Sequence, residues 1–256
     1  MQKRVTQILC LVVLAMLAAG AAALAQNENQ EKPPVFTYVS GWVVPRAQWG
    51  DMAKMQQQDR DLEEKLLADG VLTSYGETEN YIHTEDQPTH GSWMTATSEA
   101  NILKALEAFY ARPETTAPVL AASKHHDLFL VSRMYNGHAG TFDGAYLSGS
   151  VFQVKEGEVG AFQNLVKTRV VPEFEKLLAD GTLASYSVNA QDFVTVRPGL
   201  RWLVFVAPNA SALNKADQAL EAAFGKDAEL GPALGSLTVW KAQRDFLLRV
   251  NYSKAR

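Results

Sequence analysis

Seven consecutive residues, Glu64-Lys65-Leu66-Leu67-Ala68-Asp69-Gly70, recur 111 positions later as Glu175-Lys176-Leu177-Leu178-Ala179-Asp180-Gly181. The match continues at the same offset, with Leu72 against Leu183, Ser74 against Ser185, Tyr75 against Tyr186 and Thr84 against Thr195. After a short gap Trp93 aligns with Trp202, and Ala105-Leu106-Glu107-Ala108 aligns with Ala219-Leu220-Glu221-Ala222. His126-Asp127-Leu128-Phe129-Leu130 then resembles Arg244-Asp245-Phe246-Leu247-Leu248. An ordered series of matches over such a distance marks an internal duplication. It restricts this chain of 256 residues to architectures built from two like halves.

Each half reads as strand, helix, strand, strand, helix, strand. In the first, residues 38–44 are β-rich and end at Pro45. Trp49, Met52, Met55, Leu62 and Leu66 fall near helical spacing over residues 48–68, and Gly70 suits a left-handed C-terminal cap. Residues 72–83 and 92–97 read as two strands around a turn at residues 88–91. Ser98 can cap a helix carrying Ile102, Leu103, Leu106, Phe109 and Tyr110, and residues 128–134 form the closing strand. The second half repeats this with strands at residues 147–154, 183–196, 201–206 and 246–250. Its helices are expected at residues 158–179 and from Asn209 or Ser211 to Phe224, with Pro172 kinking or splitting the former. The glycine-rich stretch 137–144 joins the halves.

This order, βαββαβ, is the ferredoxin-like unit: an antiparallel four-stranded sheet with both helices on one face. Its other face is apolar and needs a cover, and a tandem copy supplies one at high effective concentration. Residues 62–75 (LEEKLLADGVLTSY) and 174–186 (FEKLLADGTLASY), together with this element order, resemble the dimeric α/β-barrel superfamily. That superfamily includes antibiotic-biosynthesis monooxygenases, haem-degrading monooxygenases, muconolactone isomerases, EthD-like proteins and NIPSNAP-like proteins. The resemblance spans about residues 37–256. It implies an α+β fold of two tandem ferredoxin-like units, residues 37–140 and 141–256, packed as an intrachain α/β barrel with helices outside. No catalytic motif of any member matches, so no functional residue is carried over.

The ends are simpler. Residues 1–25 read as a secretory signal peptide, with Lys3 and Arg4, an apolar run and Ala23-Leu24-Ala25 before the cleavage point. Residues 26–36 form a polar leader. Cleavage removes Lys3 and Arg4 and no acid, taking the formal charge from −4 to −6, and it removes Cys10, the single cysteine. The expectation is a secreted, periplasmic protein with no thiol chemistry and no membrane anchor, as a monomer or homodimer. An apolar content of 47% and a charged content of 20% are those of an ordinary globular protein. The acidic balance offers no field for nucleic acid.

The candidate site residues gather in the first half. All five histidines lie between His83 and His138. Thr73, Tyr75, Glu77, Glu79, Tyr81 and His83 alternate onto one strand face, mixing aromatic, acidic and basic groups. The same face of the second half carries Tyr186, Val188, Ala190 and Asp192, which is blander. Trp42, Tyr75, Glu77, Tyr81, His83, His90 and Trp93 are therefore the expected ligand-binding residues. His83 and His90 flank a hairpin that carries Glu85 and Asp86, but no zinc spacing is met, and no metal site is assigned. His125 and His126 must point to opposite faces of their strand. No phosphate loop, dinucleotide fingerprint or nucleophile elbow is present. The reading is a binding protein for a small apolar or aromatic ligand held between sheet and helices of the first unit. The alternatives are a monooxygenase-like or haem-handling enzyme and a protein-interaction module; the cofactor stays unassigned.

Overall fold

The computed structural model describes residues 32–84, 87–113 and 117–256. The expected signal peptide, most of the leader, and Glu85 and Asp86 lie outside the described residues. The first unit runs β1 (Val35–Val43), α1 (Trp49–Ala68), β2 (Ser74–Asn80), β3 (His90–Ala96), α2 (Glu99–Tyr110), α3 (Pro118–Ala122) and β4 (Lys124–Gly137). A two-residue strand, β5 (Gly140–Thr141), leads to β6 (Tyr146–Gln153), α4 (Val159–Leu165), a π-helical turn (Val166–Val170) and α5 (Val171–Ala179). β7 (Ser185–Phe193), β8 (Leu200–Ala207), α6 (Ala210–Lys226), α7 (Leu230–Leu237) and β9 (Arg244–Ala255) complete the second unit.

Each unit builds an antiparallel sheet, β2-β3-β1-β4 and β7-β8-β6-β9. β4 then pairs with β7 and β9 with β2, which closes an eight-stranded antiparallel barrel. The apolar face that each unit would leave open becomes the barrel interior, and the helices lie outside. Both copies of the Ala-Asp-Gly motif end a helix as expected: Gly70 and Gly181 sit at φ +75° and +74°, where a β-carbon would be strained.

The differences from expectation have local causes. β2 stops at Asn80 rather than at residue 83. The Asn80 side chain accepts from the Ile82 backbone N–H (3.0 Å) and donates to the Pro88 carbonyl (3.2 Å), a side-chain turn that takes the chain off the ladder. β4 and β9 are much longer than expected because each pairs on both sides, once within its unit and once across the seam. Pro172 falls in the first turn of α5, where its missing N–H is tolerated, and the helix ahead of it widens into the π turn. That turn inserts one residue and keeps Phe162, Val166, Val170 and Phe174 all buried on one side.

Trp93 and Trp202 are not equivalent, although the sequence aligns them. Trp93 lies opposite Gly76, and Trp202 lies opposite Asn189; the structural counterpart of Trp93 is Val204, opposite Ser187. Gly76 is what lets Trp93 lie flat inside the barrel, since a methyl group there would overlap the indole. Gly76→Ala should therefore cost about 1–3 kcal/mol of stability. Gly160→Ala, with open space around it on α4, should be neutral or gain up to about 1 kcal/mol. Urea unfolding of the two variants measures both.

Candidate functional site

Between the outer face of the first sheet and α1, α2 and α3 lies a chamber of about 360 Å³. Strand alternation decides what faces it. On β1, Tyr38, Ser40 and Trp42 point toward the helices. On β4 the residues opposite them do the same: His125 faces Trp42 and Asp127 faces Ser40. His126, between these two, faces the other way, opposite Gly41.

One wall of the chamber is a hydrogen-bonded cluster. The Tyr38 hydroxyl donates to Asp127 Oδ1 at 2.6 Å, and His125 Nε2 lies 2.8 Å from the same oxygen and 2.8 Å from Ser40 Oγ. The Trp42 indole stacks on the His125 ring at 3.7 Å with the planes 10° apart. Burial pushes the Asp127 carboxyl up, but the hydrogen bonds from His125 and Tyr38 outweigh it and hold it below the usual range. Burial, then the charge beside it, drives the Tyr38 hydroxyl far above its usual value. The cluster is thus a carboxylate that orients the His125 ring, with a neutral phenol beside it.

The opposite wall is acidic and buried. Glu77 accepts from Gln56 Nε2 at 2.6 Å. Glu63 is 1% exposed, and its Oε2 has no hydrogen-bond partner. The Tyr252 hydroxyl, which donates to the Gln56 carbonyl, lies against Glu63. Burial raises Glu63 to about 8, and burial together with Glu63 and Asp59 raises Glu77 well above the carboxylate range. Burial thus favours the protonated form of both. Asp59 pairs with Arg112 at 2.7 Å at the edge of this wall.

The second unit shows what the fold places here by default. Where the first unit has Gln56, Asp59, Glu63, Glu77 and Tyr252, the second has Val166, Val170, Phe174, Val188 and Met134. Those five pack into a continuous apolar core. The first unit has replaced that core with polar groups around a chamber. Each buried, unpaired polar atom costs on the order of 1–3 kcal/mol.

The expected residues separate into three places. Trp42 and Glu77 line the chamber. Tyr75 is fully buried on the same side of the sheet, at the core with Tyr252. His90 is buried against Trp49, its Nδ1 3.0 Å from Thr89 Oγ1, and burial lowers it to about 4. His83 is exposed and touches the same Trp49 ring. Tyr81 is 52% exposed beyond the end of β2. Trp93 faces the barrel interior, on the other side of the sheet from Glu77, because it occupies the opposite phase of the strand alternation. Tyr38, Ser40, Gln56, Glu63, His125, Asp127 and Tyr252 were missing from the expected set. A position-by-position comparison of the two halves would have found Glu63, whose counterpart is Phe174; Gln56 matches Val166 only once the π turn has inserted its extra residue.

Nε2 of His125 is held by Ser40 and Asp127, Nδ1 of His90 is bonded to Thr89, and His83 lies outside the chamber. Among the described residues, no three His, Cys, Asp or Glu side chains converge as a metal site.

Searches by sequence, against protein-family models and against curated proteins, return no match. Solved structures do. A provisionally assigned monooxygenase from Lactobacillus acidophilus superposes with a TM-score of 0.61 at 12% identity, over 88% of this chain and 97% of its own. One from Fusobacterium nucleatum gives 0.63 at 10% identity, over 89% and 96%. An anthrone oxidase-like protein gives 0.55 at 10% identity, over 88% and 94%. The fold is that of the dimeric α/β barrel, here within one chain. At these identities the likeness extends to the fold alone.

The raised acids have a pH signature. In the unfolded chain Glu63 ionises above about 4.5, but in the fold only near 8. The folded state therefore holds the extra proton in that window, and the stability it contributes falls as pH rises from about 4.5 to 8. The protein should melt at a higher temperature at pH 5 than at pH 8. Glu63→Gln should flatten that slope and raise the melting temperature at pH 8 by several degrees, as calorimetry at both pH values will show.

Proposed function

We propose that the first unit binds a small planar molecule bearing an acidic hydroxyl, a phenol or an enol, and takes its proton onto the His125–Asp127 pair. The observation that carries this reading is that one unit of the duplicated chain lines its sheet–helix chamber with buried polar groups, among them the unpaired Glu63 Oε2, where the other packs apolar side chains. Such groups weaken the fold, and a ligand that completes their hydrogen bonds explains their presence.

The parts have complementary roles. Asp127 accepts the Nε2 proton of His125, which leaves Nδ1 as the basic nitrogen. Trp42 holds the imidazole plane and, with Phe109 and Tyr110, supplies aromatic surface for a flat ligand. Glu63 and Glu77, held neutral, can donate hydrogen bonds to a ligand oxygen across the chamber, as a carboxylic acid does when its site keeps it protonated. The anion formed would be electron-rich. The reading therefore extends to oxygenation by dioxygen, the reaction type in the names of the fold neighbours. With residues 1–25 read as a cleaved signal peptide, the reaction belongs to an exported compartment.

4-Nitrophenol reports on this directly, because its anion absorbs at a separate wavelength. Titrated at a pH below its own pKa, it should show a saturable phenolate band with the protein. His125→Gln and Asp127→Asn should keep the binding but lose most of the phenolate band, and Glu63→Leu should weaken binding by about tenfold or more. An undiminished phenolate band in His125→Gln would overturn the assignment of the base. Oxygen uptake with an added phenol separates oxygenation from binding alone.

A further inference from the structure

The other side of the same sheet holds a larger space. A cavity of about 920 Å³ runs through the barrel interior, walled by strands of both units. An eight-stranded barrel is usually just wide enough for its own side chains to fill. Here the large inward rings lie against the wall. A β-carbon on Gly76 would overlap the Trp93 indole, and one on Gly149 would meet the Phe246 ring at 2.6 Å. The two glycines make room for these rings at the wall, which leaves the centre open. The cavity reaches the surface at the β2–β3 hairpin, where Ile82 lines it and is 61% exposed.

The hollow itself is uncharged. Strand register sets Thr37, Val39, Trp93, Leu130, Val204 and Leu248 on its inner wall. Among the described residues, no inward side chain that lines it is Lys, Arg, His, Asp or Glu. Lys124, His126 and Arg244 share the inward phase but stand at the starts of β4 and β9 and do not line it. The charged residues that do line it lie past strand ends, on the outward phase or on a helix. His138 is bonded to the Leu178 carbonyl, Arg256 donates to the Leu67 carbonyl, and Asp245 accepts from the Ser150 hydroxyl. His90 and Lys254 lie opposite the outward Trp42 and Tyr75, and Asp217 is carried by α6, outside the barrel.

Hydrogen-bonding capacity is left over inside. Asn189 on β7 and Trp202 on β8 are direct cross-strand partners on the inner face, and both line the cavity. They are only 6% and 8% exposed. The Asn189 amide nitrogen donates to Ser187 Oγ at 2.8 Å. Its carbonyl oxygen and the Trp202 indole N–H have no hydrogen-bond partner among the described residues. A buried indole N–H usually finds a partner, and an unmet polar group costs on the order of 1–3 kcal/mol. One acceptor beside one donor suits a hydroxyl group, which uses both.

We infer that the barrel interior is a second binding site, for an uncharged alcohol of isoprenoid size, with its chain in the hollow and its hydroxyl between Asn189 and Trp202. This site is separate from the sheet–helix chamber and does not depend on the function proposed for it. Burial of methyl and methylene groups against Val, Leu and Trp side chains drives entry. An ionised head would lose its water there without gaining a counter-charge, so the hollow selects a neutral molecule.

The test uses Nile red, an uncharged dye whose fluorescence rises on burial. Saturable binding near one per chain, displaced by farnesol, is expected. Farnesyl phosphate, with the same chain and a charged head, should compete at least about tenfold less well. Trp202→Phe removes the N–H donor; it should weaken farnesol about three- to tenfold and leave the hydrocarbon farnesane unchanged. Val39→Phe/Val204→Phe, which fills the hollow, should weaken dye and farnesol at least about tenfold. If the filled variant does not fold, the Trp202→Phe comparison decides. Glu63→Gln and saturating 4-nitrophenol, both directed at the chamber, should leave all of these values unchanged. The inference is overturned by no saturable binding, by equal competition from farnesyl phosphate, or by equal binding to the filled variant. It is overturned too if Trp202→Phe leaves farnesol unchanged or weakens farnesane equally, or if Glu63→Gln or 4-nitrophenol releases the dye.

Discussion

The structure depends on one requirement: a sheet covered by helices on one face must still hide its other face. Neither unit can do this with its own residues. The β4–β7 and β9–β2 seams solve it by turning two open faces toward each other and giving each of the eight barrel strands a partner on both sides. Closure forces β4 and β9 to be long enough to serve two neighbours, and it places the two like halves around a common axis. The sheet then has two environments with separate rules. Its outer face meets helices and can be packed solid. Its inner face meets only other strands at a distance set by the barrel.

On the outer face the two halves have taken different courses from the same starting plan. The second is packed with Phe162, Phe174, Phe205 and their neighbours, and it needs no ligand to be complete. The first keeps an apolar core near Tyr75, Ile102 and Leu72 but is polar and hollow beside it. A fully apolar chain of the same fold would be more stable. The two halves are joined at both barrel seams, so the solidly packed one supports the hollow one.

The fold was legible because its signals are local or repetitive. The repeated Ala-Asp-Gly caps, the Ser98 and Asn209 helix starts and the spacing of apolar residues all survive in the structure. The site was legible in part. The contrast between Glu77 and Val188 pointed to the half that holds the sheet–helix chamber, and Trp42 and Glu77 line it. Two things were hidden. Whether a strand residue faces helix or barrel flips with one step of register, so Trp93 and Glu77 looked like neighbours although a sheet separates them. Tyr252 lies far from Glu77 in sequence and meets it only across the seam, which no local pattern encodes.

That last contact has a consequence for how the molecule is made. Tyr252 is carried by β9, the strand that pairs with β6 of its own half and with β2 of the other. The wall of the first unit's chamber is therefore finished by residues from the far end of the chain. A polypeptide cut before β9 has neither the β9–β2 seam nor the Tyr252 wall of the chamber. β9 works as a keystone, shared by the closed barrel and the chamber wall.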